Sequence, residues 1–296
     1  MFGDAFELAS QFTRPIAVSR LAWNGKCSNG MGSFILLNDQ GWVLTAGHIV
    51  DQIVVMDRES SESAQHEAKI DAIEKDSTLD AVQKRAAKKK LGLRKPDSTR
   101  RFSPLWDMMS AAQAISAVRC PVADIGIVQL QNFDKTLFKV CPKLKDPSKK
   151  YRPGTSLCKL GFPFHTVQPS WDEATGTFSL PAGSWPPPFF PMDGILTRVA
   201  NIDNGTSAPV VPYAAKLIET SSPGLRGQSG GPIFDSAGNI WAIQCHTSHF
   251  SLGFDPIVPE SKQKVHQFLN VGYGVHIETV IGFLTSQGIA FTLSDN

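Results

Sequence analysis

Short apolar segments separated by turn-forming residues run through most of the chain and predict a protein built mainly from β-strands. The segments Ser33–Leu37 and Trp42–Thr45 flank Asn38-Asp-Gln-Gly41, a run that favours a turn, and so predict a hairpin. His48 follows directly after the second strand of this hairpin. Further strands are predicted at residues 123–130 and 155–161.

Three segments depart from the β pattern. From about Glu59 to Lys95 the composition shifts to Ala, Glu, Lys and Gln, which predicts a surface helix. Pro181–Pro191 predicts a loop, because proline neither continues a helix nor donates a hydrogen bond within a central strand. Ile277–Ser286 has apolar residues at helical spacing before Gln287-Gly288, which predicts a short amphipathic helix.

Composition changes this picture little. The 296 residues are 42% hydrophobic and 19% charged, the balance of a globular protein with a large core. The formal net charge is +2, so we expect neither nucleic acid nor an acidic lipid surface as a partner. No uninterrupted run reaches the roughly 18 apolar residues of a membrane span.

The cysteines are five in number and are widely spaced. They lack the close pairs of a zinc site or a redox motif, so we expect no metal, no cofactor and no disulfide framework. Residues 1–23 carry charges among their apolar residues and do not resemble a signal peptide. We therefore expect a cytoplasmic protein.

The segment Gly227-Gln-Ser-Gly-Gly-Pro232 holds a serine in a tight glycine-rich turn before an apolar strand. A nucleophilic hydroxyl has to project from a bend whose amides also point at the developing oxyanion, and glycine permits such close backbone approach. In this arrangement Gly227 and Ser229 would supply the two amides. By itself, however, the segment predicts only a turn.

Two further motifs precede that serine. His48 lies in Thr45-Ala-Gly-His-Ile-Val50, and Asp124 lies in Ala123-Asp-Ile-Gly-Ile-Val128 at the start of a predicted strand. Alone, the histidine would be explained as a packing or surface residue and the aspartate as a strand-end cap. The order His, Asp, Ser is the order used by chymotrypsin-like enzymes, which makes coincidence improbable.

These motifs resemble those of the trypsin/chymotrypsin-like serine peptidase superfamily, nearer to its bacterial branch, which includes the high-temperature-requirement proteases. The resemblance extends over residues 16–288, and no PDZ domain is expected. Four secondary motifs carry it further: Gly161-Phe-Pro163, Gly194-Ile-Leu196, Ile218-Glu-Thr220 and Gly272-Tyr-Gly-Val-His-Ile277.

The resemblance implies an all-β, chymotrypsin-like double β-barrel of two six-stranded antiparallel barrels with the active site between them. We expect residues 1–150 to form the N-terminal barrel, with the helical insert at about 59–95. Residues 151–296 would form the C-terminal barrel, with a Pro/Trp/Phe-rich insert at about 165–193 and the C-terminal helix. The crossover is expected near residues 145–153.

The resemblance also implies a serine endopeptidase that cleaves protein or peptide substrates through an acyl-enzyme. Ser229 would be the nucleophile, His48 the general base and Asp124 the residue that orients the imidazole, with the amides of Gly227 and Ser229 as oxyanion hole. Gln228 stands where pancreatic enzymes have an aspartate that pairs with a freed N-terminus. We therefore expect no zymogen switch of that kind.

A specificity pocket is implied as well, without an acid at its base. This absence favours an uncharged or polar residue before the scissile bond. His246 and His249 are interpreted either as ordinary packing residues or as groups that recognise an acidic or amide side chain. The expected lining residues are Pro223, Gly224, Gln244, Cys245, His246, Thr247, Tyr273 and Gly274.

Other functions stay open at this point. A catalytically silent or partner-activated protease-fold adaptor would keep the fold and bind a regulatory protein through its inserts. A zinc hydrolase is disfavoured because the sequence has no His-Glu-x-x-His motif. An intracellular protease switched on by a partner complex is a third hypothesis, with the helical and proline-rich inserts as its control elements.

Overall fold

The computed structural model describes residues 1–107, 112–165, 167–202, 209–257 and 264–295. Within these residues the chain forms two main sheets, a small separate hairpin and four α-helices. The predicted β-rich architecture is confirmed. None of the helices formed by these residues is long and apolar enough to cross a membrane.

The first sheet has six strands in the order β4-β1-β2-β3-β6-β5, and all neighbours are antiparallel. The predicted hairpin is confirmed, with Phe34 opposite Thr45. Among the described residues β4 and β5 do not pair, so this sheet is a curved half-barrel. Its strands are β1 Thr13–Ala22, β2 Cys27–Leu36, β3 Trp42–Thr45, β4 Thr99–Trp106, β5 Gln113–Arg119 and β6 Gly126–Gln131.

The second sheet contains a closed ring of six antiparallel strands, β13-β8-β11-β12-β15-β14, which is completed by pairing of β13 with β14. Two short strands, β7 and β16, join it by parallel pairing and were not predicted. The bounds are β7 Lys143–Leu144, β8 Ser156–Lys159, β11 Met192–Asn201, β12 Lys216–Thr220, β13 Pro232–Phe234, β14 Ile240–Ser251, β15 Phe268–His276 and β16 Thr292–Leu293; β9 Ser170–Asp172 and β10 Thr177–Ser179 form the separate hairpin.

The two sheets form the chymotrypsin-like double barrel that the resemblance implies. Each contributes six antiparallel strands to its barrel, but only the second closes into a ring within the described residues. The proposed division of the chain near residue 150 stays a prediction.

The helices are α1 Gly3–Ser10, α2 Gly47–Lys75, α3 Ala81–Leu91 and α4 Ile277–Ser286. The predicted C-terminal helix is confirmed as α4, whereas α1 was not predicted. The helical insert differs from the prediction, since it begins at Gly47 and is divided into α2 and α3. Asp80 starts the second helix, because its carboxylate accepts hydrogen bonds from the amides of Val82 and Gln83.

Helix α2 starts early because tertiary packing overrides its composition. Ile49, Val50 and Ile53 are buried in the core of the first sheet, together with Phe34 and Trp106. Sequence reasoning placed the helix where helix-forming residues dominate, but burial of this first part anchors the element. His48 therefore lies in the first turn of a helix whose position is set by the core.

A second core joins the two barrels. It contains Phe12, which follows α1, together with Ile35 and Leu44 of the first sheet and Phe234 and Ile240 of the second. Because buried apolar residues from both sheets share one core, this core holds the two barrels together.

The proline-rich insert packs against the barrels. Residues 180–191 form no helix or strand, as predicted. The indole of Trp185 donates to the carbonyl of Asp107 over 2.9 Å, and Phe189 packs on Phe162 with ring centroids 4.9 Å apart. The hairpin of β9 and β10 is tied to β4, because Arg100 bonds to Glu173 over 2.7 Å.

Candidate active site

His48 and Asp124 are held together by two hydrogen bonds. His48 Nδ1 lies 2.8 Å from Asp124 Oδ2, and the backbone amide of His48 donates to Asp124 Oδ1 over 2.8 Å. Asp124 lies just before β6, and β6 pairs with β3. Helix α2, which carries His48 in its first turn, follows directly after β3. The adjacency of these strands therefore brings the two distant sequence motifs into contact.

The environment of Asp124 favours its ionised form. Burial by itself would raise the pKa of this carboxyl, but the hydrogen bonds and charge of His48, with a smaller contribution from Arg119, lower the pKa below its usual value. Arg119 Nη2 lies 3.9 Å from Asp124 Oδ1. An ionised Asp124 accepts the Nδ1 proton of His48, which leaves Nε2 as the nitrogen available to accept a proton.

The loop that carries Ser229 depends on glycine at position 227. Gly227 has a φ of +96°, a region that L side chains rarely adopt. A Cβ at this position would also collide with the carbonyl of Phe162 and would lie 2.8 Å from its carbon atom. The glycine is therefore needed for the shape of the turn.

Hydrogen bonds from the first barrel and from β14 hold this loop in place. The amide of Ser33 donates to the carbonyl of Ser229 over 2.8 Å, and the Ser33 hydroxyl donates to the carbonyl of Gly227 over 2.7 Å. The amide of Gly230 donates to the carbonyl of Gln244 over 2.9 Å. The carbonyls of Gly227 and Ser229 thus accept hydrogen bonds, whereas the amides of these two residues donate to no group within the described part of the chain.

Gln228, where the sequence departs from pancreatic enzymes, is fully buried. Its Oε1 accepts from the amide of Leu225 over 3.0 Å, and its Nε2 donates to the carbonyl of Phe190 over 3.4 Å. The side chain thus ties the serine loop to itself and to the proline-rich insert. The loop has internal support in this chain that does not involve an N-terminal amine.

Ser229 and His48 face the same cleft. A cavity of about 860 Å³ between the barrels is lined by both residues, by Gly227 and by apolar side chains such as Ile16 and Val18. Across the ranges that the structure describes, no hydrogen bond joins the Ser229 hydroxyl to His48. Contacts of this kind are often long in free enzymes and shorten when substrate binds.

A second cavity, of about 400 Å³, adjoins the first at Ser229. Six of the eight predicted pocket residues line it: Pro223, Gly224, Gln244, Cys245, His246 and Thr247. Tyr273 and Gly274, the other two, are not among its lining residues. The hydroxyl of Tyr273 is turned towards Glu219, to which it donates over 2.5 Å, and Gly274 faces the core, where a Cβ would lie 2.6 Å from Ile233.

Three residues that line this second cavity were not predicted from the sequence: Leu225, Arg226 and Asn270. His249, which was considered near the pocket wall, lines it as well. Arg226 lines both cavities. Arg226 could have been predicted from its position three residues before Ser229, because the serine motif implies that this loop borders the substrate.

No group of three or more His, Cys, Asp and Glu side chains suited to a metal ion occurs in the portion of the chain that the structure describes. All five cysteines lie in that portion as free thiols: Cys27, Cys120, Cys141, Cys158 and Cys245.

Solved structures with a similar fold include proteases. The chain is similar to the active form of the Rv3671c protease of M. tuberculosis, with a TM-score of 0.47 and 11% identity over 98% of this chain and 86% of that one. It is also similar to the HtrA-type protease AlgW with a tripeptide, with a TM-score of 0.45 and 13% identity over 97% of this chain. The chain spans 63% of the length of that AlgW chain. No curated protein sequence matches the chain.

A family model for the trypsin-like peptidase domain matches residues 30–243. That interval covers most of the chain and includes His48, Asp124 and Ser229. The protein therefore belongs to the family of trypsin-like peptidase domains.

Proposed function

We propose that the protein is a serine endopeptidase in which Ser229, His48 and Asp124 act together on a peptide bond. The Ser229 oxygen adds to the substrate carbonyl while its proton passes to His48 Nε2. His48 then returns that proton to the leaving amine as the carbon–nitrogen bond breaks and an ester to Ser229 remains. A water molecule, deprotonated by His48, hydrolyses the ester and regenerates the hydroxyl.

One arrangement carries this proposal. Ser229 lies where two cavities meet, the larger cavity also contains an imidazole bonded to a carboxylate, and the amides of Gly227 and Ser229 have no partner among the described residues. Two unpaired amides beside a hydroxyl suit the negative charge of a tetrahedral intermediate. Asp124 keeps the imidazole in the tautomer that accepts a proton and stabilises its charged form.

The direct test is covalent labelling. A fluorophosphonate probe should label the wild-type protein and should fail to label Ser229→Ala, and only the wild type should cleave a mixed peptide library. Ser148→Ala is the matched control, since Ser148 is exposed and lines neither cavity. An unlabelled, inactive wild type, or peptide cleavage that survives in Ser229→Ala, would contradict the proposal.

A partner-activated protease-fold adaptor is the second candidate. It is favoured by the lack of a Ser229–His48 hydrogen bond within the described residues and by Gln228, which couples the serine loop to the insert that contains Phe190. In this alternative, a protein bound to the insert would complete the site. Rapid labelling of the isolated chain would exclude it, whereas labelling that requires added cell lysate would favour it.

The proposal extends to an intracellular, regulated protease that acts in a reducing compartment. Five free thiols support this location, because exposed and half-buried cysteines such as Cys141 and Cys27 are oxidised readily outside such compartments. The regulatory role of the inserts is part of the same proposal. Activity measured with and without a reductant tests the first point.

A further inference from the structure

The second cavity, which we call the specificity pocket, has a basic lining without a matching acid. Arg226 lines it, is solvent-exposed, and makes no hydrogen bond or ion pair with any residue that the structure describes. The lining contains no aspartate or glutamate. A guanidinium with all its donors free, at the edge of a pocket beside Ser229, suits a planar anionic group.

A second cation lies beneath the floor of the pocket. Lys159, the last residue of β8, is only 1% exposed. Its ammonium donates to the carbonyls of Ser222 and Pro223, the second over 3.1 Å, and Pro223 is itself a lining residue. Lys159 thus brings positive charge to the base of the pocket from a strand distant in sequence.

The surroundings of Lys159 supply no counter-charge. No carboxylate in the described ranges pairs with it, and burial lowers the pKa of its ammonium to about 7. A buried cation without a paired anion is costly, and two carbonyl dipoles offset only part of that cost. Position 272 has to be glycine here, since a Cβ would lie 2.6 Å from the carbonyl oxygen of Ser222 and 2.9 Å from the amide nitrogen of Gly224, besides crowding the Lys159 ammonium.

The remaining polar groups of the pocket are partly paired, and the unpaired ones include both donors and an acceptor. The amide nitrogen of Gln244 is already used, since it donates to the carbonyls of His246 and Tyr273 over 3.1 and 3.0 Å. His249 Nδ1 and Asn270 Oδ1 bond to each other over 2.5 Å, which leaves the NH2 group of Asn270 to donate. Arg226 and Asn270 therefore present donors to the pocket, whereas Oε1 of Gln244 is a buried acceptor without a partner among the described residues.

We infer that the specificity pocket binds an acidic side chain, glutamate in the first place, so that the protein cleaves after glutamate. This inference rests on the proposed function. The carboxylate would pair with Arg226, and its negative charge would favour the protonated form of Lys159 beneath the floor, which has no paired carboxylate in the free protein. It replaces the expectation from sequence of an uncharged or polar residue, which rested on the missing acid at the base of the pocket and considered His246 and His249 but neither of these cations.

The test compares fluorogenic peptides that differ only in the residue before the scissile bond: glutamate, aspartate, glutamine, leucine or lysine. We expect kcat/KM for glutamate to exceed that for the isosteric glutamine by about tenfold to a hundredfold, the range for a charge-assisted hydrogen bond. Lys159→Met should reduce this ratio towards one. Arg226→Glu should reverse the preference, favouring lysine over glutamate.

Arg152→Glu is the matched control, because it makes the same charge change at an exposed residue that lines neither cavity. It should keep the wild-type ratio. Arg226 is exposed, so its replacement tests the pocket even where Lys159→Met does not fold.

The outcomes separate this inference from the proposed function. Ser229-dependent cleavage with equal or greater activity after glutamine, leucine or lysine overturns the glutamate preference and leaves the peptidase intact. A preference that Arg226→Glu and Arg152→Glu reduce equally also overturns it, since long-range charge would then explain the effect. Failure of Ser229 to react with a fluorophosphonate overturns the peptidase itself.

Discussion

Replacing Lys159 by methionine should remove a pH-dependent contribution to stability. The pKa of this buried ammonium is lowered by burial from an ordinary value of 10.5 to about 7. Between those two values the folded protein holds Lys159 mostly neutral, whereas the unfolded chain binds the proton. Unfolding therefore takes up a proton in this pH range, so the contribution of Lys159 to the wild-type unfolding free energy increases as the pH rises.

The size of the effect follows from the gap between the two pKa values. At about 1.4 kcal/mol per pH unit, the gap between 10.5 and about 7 corresponds to roughly 5 kcal/mol. Below about pH 7 both states carry the proton, so the contribution is flat there. Methionine binds no proton, and all other titrating groups are shared by the two proteins. The difference in unfolding free energy, wild type minus Lys159→Met, should therefore climb as the pH rises above about 7.

The measurement is urea unfolding, followed by tryptophan fluorescence at about pH 6.5, 8 and 9.5. The exposed Lys149→Met serves as control and should show a constant difference from wild type, because Lys149 is not buried. A difference for Lys159→Met that stays flat or falls between about pH 7 and 9.5 would refute the reasoning and with it the burial of an unpaired cation beneath the pocket.

Asp124→Asn should lower kcat/KM by about 10³-fold to 10⁴-fold in a peptide-cleavage assay, because an amide stabilises the wrong imidazole tautomer; wild-type turnover in this variant would contradict the role given to Asp124. Gly227→Ala should lower kcat by about 10²-fold or more, since a side chain here distorts the turn that orients the two free amides, while tryptophan fluorescence still reports a folded protein. An unchanged kcat would count against the assignment of these amides as the oxyanion hole. The ratio of kcat/KM for glutamate over glutamine should fall as the pH rises past about 7, because Lys159 then loses its proton. The neighbouring Cys245 thiol stays neutral, since burial raises its pKa. A ratio independent of pH would show that Lys159 does not contribute.

The sequence predicted the local elements well where a short pattern decides the structure. The hairpin of β2 and β3 and the helix Ile277–Ser286 are both found at the predicted positions. Turn residues and apolar spacing act over a few residues, so they can be recognised without knowledge of the fold. The start of α2 at Gly47 could not be found in this way, since burial of Ile49, Val50 and Ile53 determines it.

The specificity pocket shows the same division between local and long-range information. The resemblance predicted eight lining residues, of which six lie in sequence close to the serine motif or on β14 and line the cavity, whereas Tyr273 and Gly274 on β15 are not among its lining residues. A strand pattern gives the alternation of side chains, yet the pairing of β15 with β14 includes a register shift between Gln244 and His246 that changes which residues lie opposite one another. Such a shift has no signature in the local sequence.

The sequence by itself determined the β-rich character of the chain and the three chemistry-bearing motifs, because periodicity and short motifs are local properties; the double barrel was implied by the resemblance that these motifs carry. Only the tertiary structure decided that His48 and Asp124 meet across β3 and β6, and that a lysine from β8 lies beneath the pocket near Ser229. The reason is physical: the environment of a charged group depends on which distant strands surround it, and that arrangement emerges only when the barrels close around their shared core.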